Sequence, residues 1–425
     1  MYTRQNLTVG LILAISMVGI SHDADGILPG DGLSESTAYL IEDLTDFDVF
    51  ADPANAATYW SSGVYTKLVC DIDLAGRPYT TAVIAPDTPD TNYNFNGISF
   101  KGVFDGDGHT ISNLAIDTAG ADNDYLGLFD RIESSGAQVK NLGIENINIT
   151  GGAYSDRLGG LCGENEHVAI TDCYATGSVT GDEDLGGLCG RNWYGTITNS
   201  YATGSVTGGY GLGGLCGYNS GTITNCFWDV ETSGIGIEGD DNYGATGKTT
   251  EQMQTESTFT DAGWDFSGET VNGIEDIWQM CDIGGYPKLW WESCPLKVEM
   301  KMTPTTLNCR SHGKWIKAHL TLPEGFGVSG VNTPLHLEPL GLESDQVKVS
   351  TCEDGLVKIQ AMFKRSDFCG ATNDGLESLM VIGRLINGES FYGTAKVRII
   401  TPGLEELVEL STYWLEAGCK KPHWC

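Results

Sequence analysis

The chain has 425 residues, enough for two or three domains, and although only 19% are charged, acids outnumber bases 57 to 24 for a formal net charge of −33. That balance repels phosphate backbones and anionic bilayers, which argues against nucleic acid or a membrane surface as partner. The 57 glycines favour turn-rich β structure, because glycine weakens helices and supplies positive φ at corners.

The N-terminus reads as an export signal: Arg4 is basic, Leu7 to Ile20 is apolar, and Gly19 and Ser21 are small residues suited to a cleavage site, with Ala24 a second choice. The apolar stretch is shorter than the ~20 residues needed to span a bilayer. Residues 1–21 are therefore expected to be a removed signal peptide, leaving a secreted or cell-surface protein that does not span the membrane. Thirteen cysteines in an exported chain point to an oxidising compartment, and the odd number leaves at least one thiol unpaired or bonded to another chain.

Tyr39-Leu40-Ile41 and Leu68 to Leu74 read as strands. Between them, Asp43 to Ala51 has a helical period with Leu44, Phe47 and Phe50 on one face, a candidate cap for the end of a stacked array. Phe100 to Ile111 and Tyr125 to Ile144 then look like degenerate units of the array itself.

The clear units follow. Gly159-Gly160-Leu161-Cys162-Gly163 recurs as Gly186-Gly187-Leu188-Cys189-Gly190 and Gly213-Gly214-Leu215-Cys216-Gly217, at intervals of 27 residues. Leu158, Leu185 and Leu212, Asn165, Asn192 and Asn219, and Tyr174 and Tyr201 keep the same beat. A unit of this length cannot bury its own apolar face and must stack on copies of itself. Short strands separated by Gly or Asn corners predict a right-handed parallel β-helix, with successive coils about 4.8 Å apart and an amide ladder along the asparagines. Cys162 with Cys173 and Cys216 with Cys226 are candidate disulfides inside a coil; the other reading is an inward-facing stack of thiols.

Against this frame some positions vary. Asp122 and Asp124, then Asp156, then Asp182, Glu183 and Asp184 would align as an acidic ridge, which ends at Gly209-Tyr210-Gly211. The ridge reads as a solvated face, as a calcium site, or as carboxylates for glycoside chemistry. Trp193 and Tyr194 occupy a corner where the neighbouring units have Glu166-His167 and Ser220-Gly221; variable aromatics on a fixed scaffold suit a glycan- or protein-binding surface, and equally a shield for the coil edge.

Gly-Gly-Leu-Cys-Gly followed by Tyr-Ala-Thr-Gly-Ser-Val resembles the GLUG repeat of secreted bacterial surface proteins, and Val103 to Ile111 resembles the coil that precedes it. The resemblance extends over residues 27 to about 294 and is strongest across 98–230. It implies a capped β-helix and an adhesin-like role at the cell surface. The repeat also occurs beside the protease domain of immunoglobulin-A-cleaving metallopeptidases, but no His-Glu-x-x-His zinc motif accompanies it here.

After Phe227-Trp228-Asp229, a Trp-rich stretch through Trp264, Trp278 and Trp290-Trp291 reads as a second cap, closing the β-helical domain at residue 294, the alternative being a carbohydrate platform. From 295 to 402 the strands lengthen: Ile316, Ala318, Leu320 and Leu322 alternate with polar residues, as do Val357 to Phe363 and Ala395 to Ile399, which predicts an immunoglobulin-like β-sandwich. In 403–425, Leu404 to Trp414 reads as an amphipathic helix, and Leu407 to Leu415 resembles a helix of dockerin-like modules without their calcium loops.

Neither Gly-x-Ser-x-Gly nor a phosphate loop is present, and His109 in a turn and His167 in a repeat corner read as structural or solvated residues rather than as a general base. Cys419, His423 and Cys425 lack a fourth metal ligand. No catalytic residue, metal or cofactor is assigned, calcium at the ridge being the only ion in view. The expected protein is non-catalytic and binds a glycan or a cell-surface protein through Trp193, Tyr194, Asp182, Glu183 and Asp184. A carbohydrate-active β-helix enzyme and a purely structural spacer are the alternatives.

Overall fold

A strict sequence period has a structural meaning only if like residues become neighbours, and here they do. The computed structural model describes residues 27–400 apart from 89–93, 237–243, 282–283, 293, 310–312, 324–329, 352–355, 373–374 and 387–389. The export signal and the tail helix at 404–414, with Cys419, His423 and Cys425, lie outside the described residues. Two compact units divide the chain, Met1–Lys248 and Thr249–Cys425. That division falls upstream of residue 294, so Trp264 and Trp278 belong to the second unit.

In the first unit each 27-residue repeat visits three parallel sheets in turn, adding at least one strand to each. The first does so with Asp156–Gly159, Cys162–Glu166 and Ala169–Thr180, and the sheets hold three, four and 14 strands. Leu158 pairs with Leu185 and Leu185 with Leu212, Cys162 with Cys189 and Cys189 with Cys216, and Tyr174 with Tyr201. The degenerate units join the same array, with Phe104 beside Val139 and Phe129 beside Cys162.

Stacking like on like builds columns. Leu161, Leu188 and Leu215 are fully buried, each contributing roughly 1.5–3 kcal/mol relative to an exposed side chain. Tyr174 and Tyr201 stack with centroids 5.0 Å apart and planes 4° from parallel. Asn165 Nδ2 donates to Asn192 Oδ1 at 2.9 Å and Asn192 Nδ2 to Asn219 Oδ1 at 2.7 Å, so the amide ladder forms. The repeat glycines allow the corner to close: a Cβ on Gly187 would lie 2.5 Å from Gly214 O and 2.8 Å from Ala202 Cβ.

Register also decides the cysteines, and it corrects the candidate pairs. Cys162, Cys173, Cys189, Cys216 and Cys226 are all buried and none is in a disulfide. Cys162 and Cys173 stand on strands of different sheets, as do Cys216 and Cys226, so neither pair meets. Cys162 Sγ lies 3.6 Å from Cys189 Sγ on the next unit, while Cys173 donates to Thr171 O at 3.3 Å and Cys226 to Thr224 O at 3.2 Å.

The helix Leu44–Ala51 forms because Asp43 caps it, accepting from Thr45 N at 2.7 Å and Asp46 N at 3.0 Å. Its Phe47 and Phe50 are fully buried, Phe50 packing against Phe100 and Phe104.

In the second unit, Phe259, Trp264 and Trp278 pack together, the two indoles 4.6 Å apart, near the disulfide Cys281–Cys294 in sequence. Beyond them two sheets share one core. A four-stranded antiparallel sheet runs Glu299–Thr303, Trp315–Thr321, Val357–Lys364, Gln346–Thr351 in spatial order. The facing six-stranded sheet is centred on Gly375–Arg384 and Ser390–Ile400. Ile316, Ala318, Leu320 and Leu322 are buried as their alternation predicted, and Val381, Val397 and Ile399 meet them from the other sheet. Cys309–Cys369 is a disulfide. Among the described residues no helix is long and apolar enough to cross a membrane.

Candidate functional site: an acidic and aromatic groove

The repeat turns at one corner of the first unit share a left-handed residue, Tyr125, Arg157, Asp184 and then Gly211, with φ between 51 and 63°. This turn aims the acidic residues before each Gly-Gly-Leu-Cys-Gly toward the next strand, where a second column runs Arg131, Glu164, Arg191, Tyr218 in register. Between the columns lies a groove of about 560 Å³. Asp156, Asp182, Glu183 and Asp184 form one wall, with Tyr154 and Arg157, and Arg191, Trp193 and Tyr218 form the other.

Glu164 is the electrostatic centre of the corner. Arg131 Nε lies 3.4 Å from it, Arg157 Nε 3.6 Å and Arg191 Nη1 3.8 Å, so one buried carboxylate is shared by three guanidiniums. Two of the arginines lie over aromatic rings: Arg157 is 4.6 Å from the centroid of Tyr125, and Arg191 4.2 Å from Trp193 and 5.1 Å from Tyr218. Arg157 Nη2 also pairs with Asp156 at 3.2 Å. Burial pushes the Asp156 carboxyl up to about 7, Arg157 opposing and Asp184, Asp124 and Glu183 reinforcing. Asp184 is raised by burial against the pull of Arg191. Asp156 Oδ1 and Arg191 Nε are buried without a hydrogen-bond partner among the described residues.

Of the residues singled out from the sequence, Asp182, Glu183, Asp184 and Trp193 line this groove. Tyr194 does not: its ring stacks on His167 at 5.5 Å, 11° from parallel, and is 58% exposed. Asp122 and Asp124 work as fasteners between units, accepting from Tyr154 N at 3.1 Å and Asp156 N at 2.7 Å. Sequence reasoning missed Glu164, Arg191 and Tyr218. Their signal was the residue immediately before each ladder asparagine, which changes from Glu to Arg to Tyr while its neighbours repeat. Among the described residues no group of three His, Cys, Asp or Glu is arranged to hold a metal ion.

The sequence model of the GLUG motif family matches residues 154–180 and 181–207, the two units that supply every groove residue except Tyr218. The chain is also 32% identical over 156 residues to halomucin of Haloquadratum walsbyi, a stretch that covers 36% of this chain and 2% of that protein. No solved structure matches the chain.

Proposed function

We propose that this is an exported, non-catalytic surface protein that binds a glycan in the groove of its repeat unit. The organisation proposed is a signal peptide (1–21), a capped right-handed parallel β-helix (27–294), an immunoglobulin-like β-sandwich (295–402) and a tail related to dockerin-like helices (403–425). The GLUG match and the similarity to a protein named halomucin support the surface location. The observation that carries the binding role is Arg191 lying against both Trp193 and Tyr218, whose rings are 6.1 Å apart and 26° from parallel, opposite Asp182 and Asp184. Apolar ring faces beside converging carboxylates and guanidinium donors match a sugar, which presents C–H faces and hydroxyl edges together.

The test is a glycan array with the full chain, followed by calorimetry on the best ligand. Trp193→Ala is expected to weaken binding about tenfold, or ~1.4 kcal/mol, and Arg191→Ala comparably. Absence of any glycan ligand, or unchanged affinity in Trp193→Ala, would overturn the reading. A second reading, glycoside cleavage, is favoured by the proton that Asp156 holds up to about pH 7 beside other carboxylates. It requires depolymerisation of a bound polysaccharide that Asp156→Asn abolishes.

A further inference from the structure

The positive charge of this acidic chain is not spread evenly. Half of its 24 Lys and Arg lie in residues 295–400, about a quarter of its length. The four-stranded sheet of the second unit sorts them further, because successive side chains point to opposite faces. Ile316, Ala318, Leu320, Ile359 and Ala361 turn inward to the core. The residues between them face out.

Antiparallel register then sets the outward groups in rows. Lys301 pairs with His319, His319 with Gln360 and Gln360 with Lys348, so one row across four strands carries an ammonium at each end and neutral hydrogen-bonding groups between. Lys358 extends the row on one side and Lys317 on the other. A trough of about 600 Å³ runs over this face, and Glu299 is the one carboxylate among the described residues lining it. Among the described residues, Lys301, Lys317 and Lys348 have no carboxylate at ion-pair distance, whereas Lys364, at the strand end, pairs with Asp345. Gln360 Nε2 lies 3.3 Å from His319 Nδ1 and fixes the imidazole in the row.

We propose that this outer sheet face binds a linear anionic polysaccharide, carboxylated or sulfated, independently of the groove in the first unit. Charge complementarity selects the class. The two ends of the Lys301–Lys348 row are separated by three strand spacings, roughly 14 Å, which suits charges placed at intervals along a sugar chain. Duplex DNA carries one charge per ~1.7 Å, far denser than this face can neutralise. A neutral glycan would leave the lysines unused.

The experiment measures binding of the full chain to polygalacturonate, dextran sulfate, neutral dextran and a 20-base-pair DNA duplex, with self-association followed by sedimentation. Binding to polygalacturonate or dextran sulfate is expected, the two polymers distinguishing carboxylate from sulfate. The triple variant Lys301→Gln, Lys317→Gln, Lys348→Gln should lose at least tenfold in affinity and reduce the salt slope by up to about 2, at ~0.7 per charge. Glu299→Gln should tighten binding, and Trp193→Ala should leave it unchanged, which separates this site from the groove. The inference fails if neutral dextran or the duplex binds as tightly as the anionic polymers, if the chain only self-associates, or if neither the triple variant nor Glu299→Gln changes affinity.

Discussion

Replacing Asn192 by alanine tests the amide ladder at its middle rung. The side chain is fully buried and makes three hydrogen bonds: it accepts from Asn165 Nδ2 at 2.9 Å and donates to Asn219 Oδ1 at 2.7 Å and Gly195 O at 3.3 Å. Asn165 keeps Val168 O, 3.1 Å away, and Asn219 keeps the Gly221 N–H, but Gly195 O loses its side-chain donor. At about 1 kcal/mol net per bond, plus a small cavity, Asn192→Ala should cost roughly 3–4 kcal/mol. Asn192→Asp should cost more at pH 7 and less at pH 4: the buried carboxyl would have a raised pKa, so its penalty appears as pH rises above the unfolded value. Hydrogen exchange of the full chain, read at amides of residues 158–228, measures both variants locally. A cost below 1 kcal/mol for Asn192→Ala, or an Asn192→Asp variant whose protection does not change with pH, would refute the ladder as a source of stability.

Three further outcomes follow from the same packing. Asp156, raised to about 7 in the folded state, is most favourable when protonated, so its contribution is intact below about pH 4 and is lost as pH rises through 7. Thermal melts from pH 5 to 8.5 should show Asp156→Asn gaining about 1–2 kcal/mol relative to the parent at the alkaline end, after solvent screening, and parallel curves would contradict the assignment. Mass-spectrometric mapping after alkylation should find Cys162, Cys173, Cys189, Cys216 and Cys226 unmodified in the native protein and reduced, reacting only in denaturant. Finally, Gly204 has φ +115° and a Cβ there would collide with the backbone of Gly177 on the preceding unit. Gly204→Ala should therefore cost several kcal/mol, a prediction that a denaturant midpoint within error of the parent would sink.

Much of the first unit was legible because a parallel register copies the sequence period into space. Leu185 sits over Leu158 and Asn192 over Asn165, since each strand hydrogen-bonds to its repeat on the next unit. The helix Leu44–Ala51 was legible for a different reason, an Asp cap followed by an apolar face. The groove was legible on its acidic side and at Trp193. Its acidic wall stood out as a departure from the repeat, but Arg191 and Tyr218 come from another strand, and their approach depends on a left-handed turn residue that no hydropathy pattern reports.

The sequence by itself therefore determined what stacks on what: the 27-residue beat, the buried leucine and asparagine columns, and the inward faces of the later strands. These are properties of neighbours along a ladder, and periodicity encodes them directly. Only the tertiary structure decided what meets across a corner or across a sheet. It left Cys162 and Cys173 on separate sheets as free thiols, stacked Tyr194 on His167 outside the groove lining, and set Lys301 and Lys348 at opposite ends of one row. Those outcomes depend on backbone angles at the turns and on antiparallel register, which bring together residues with no common period in the chain.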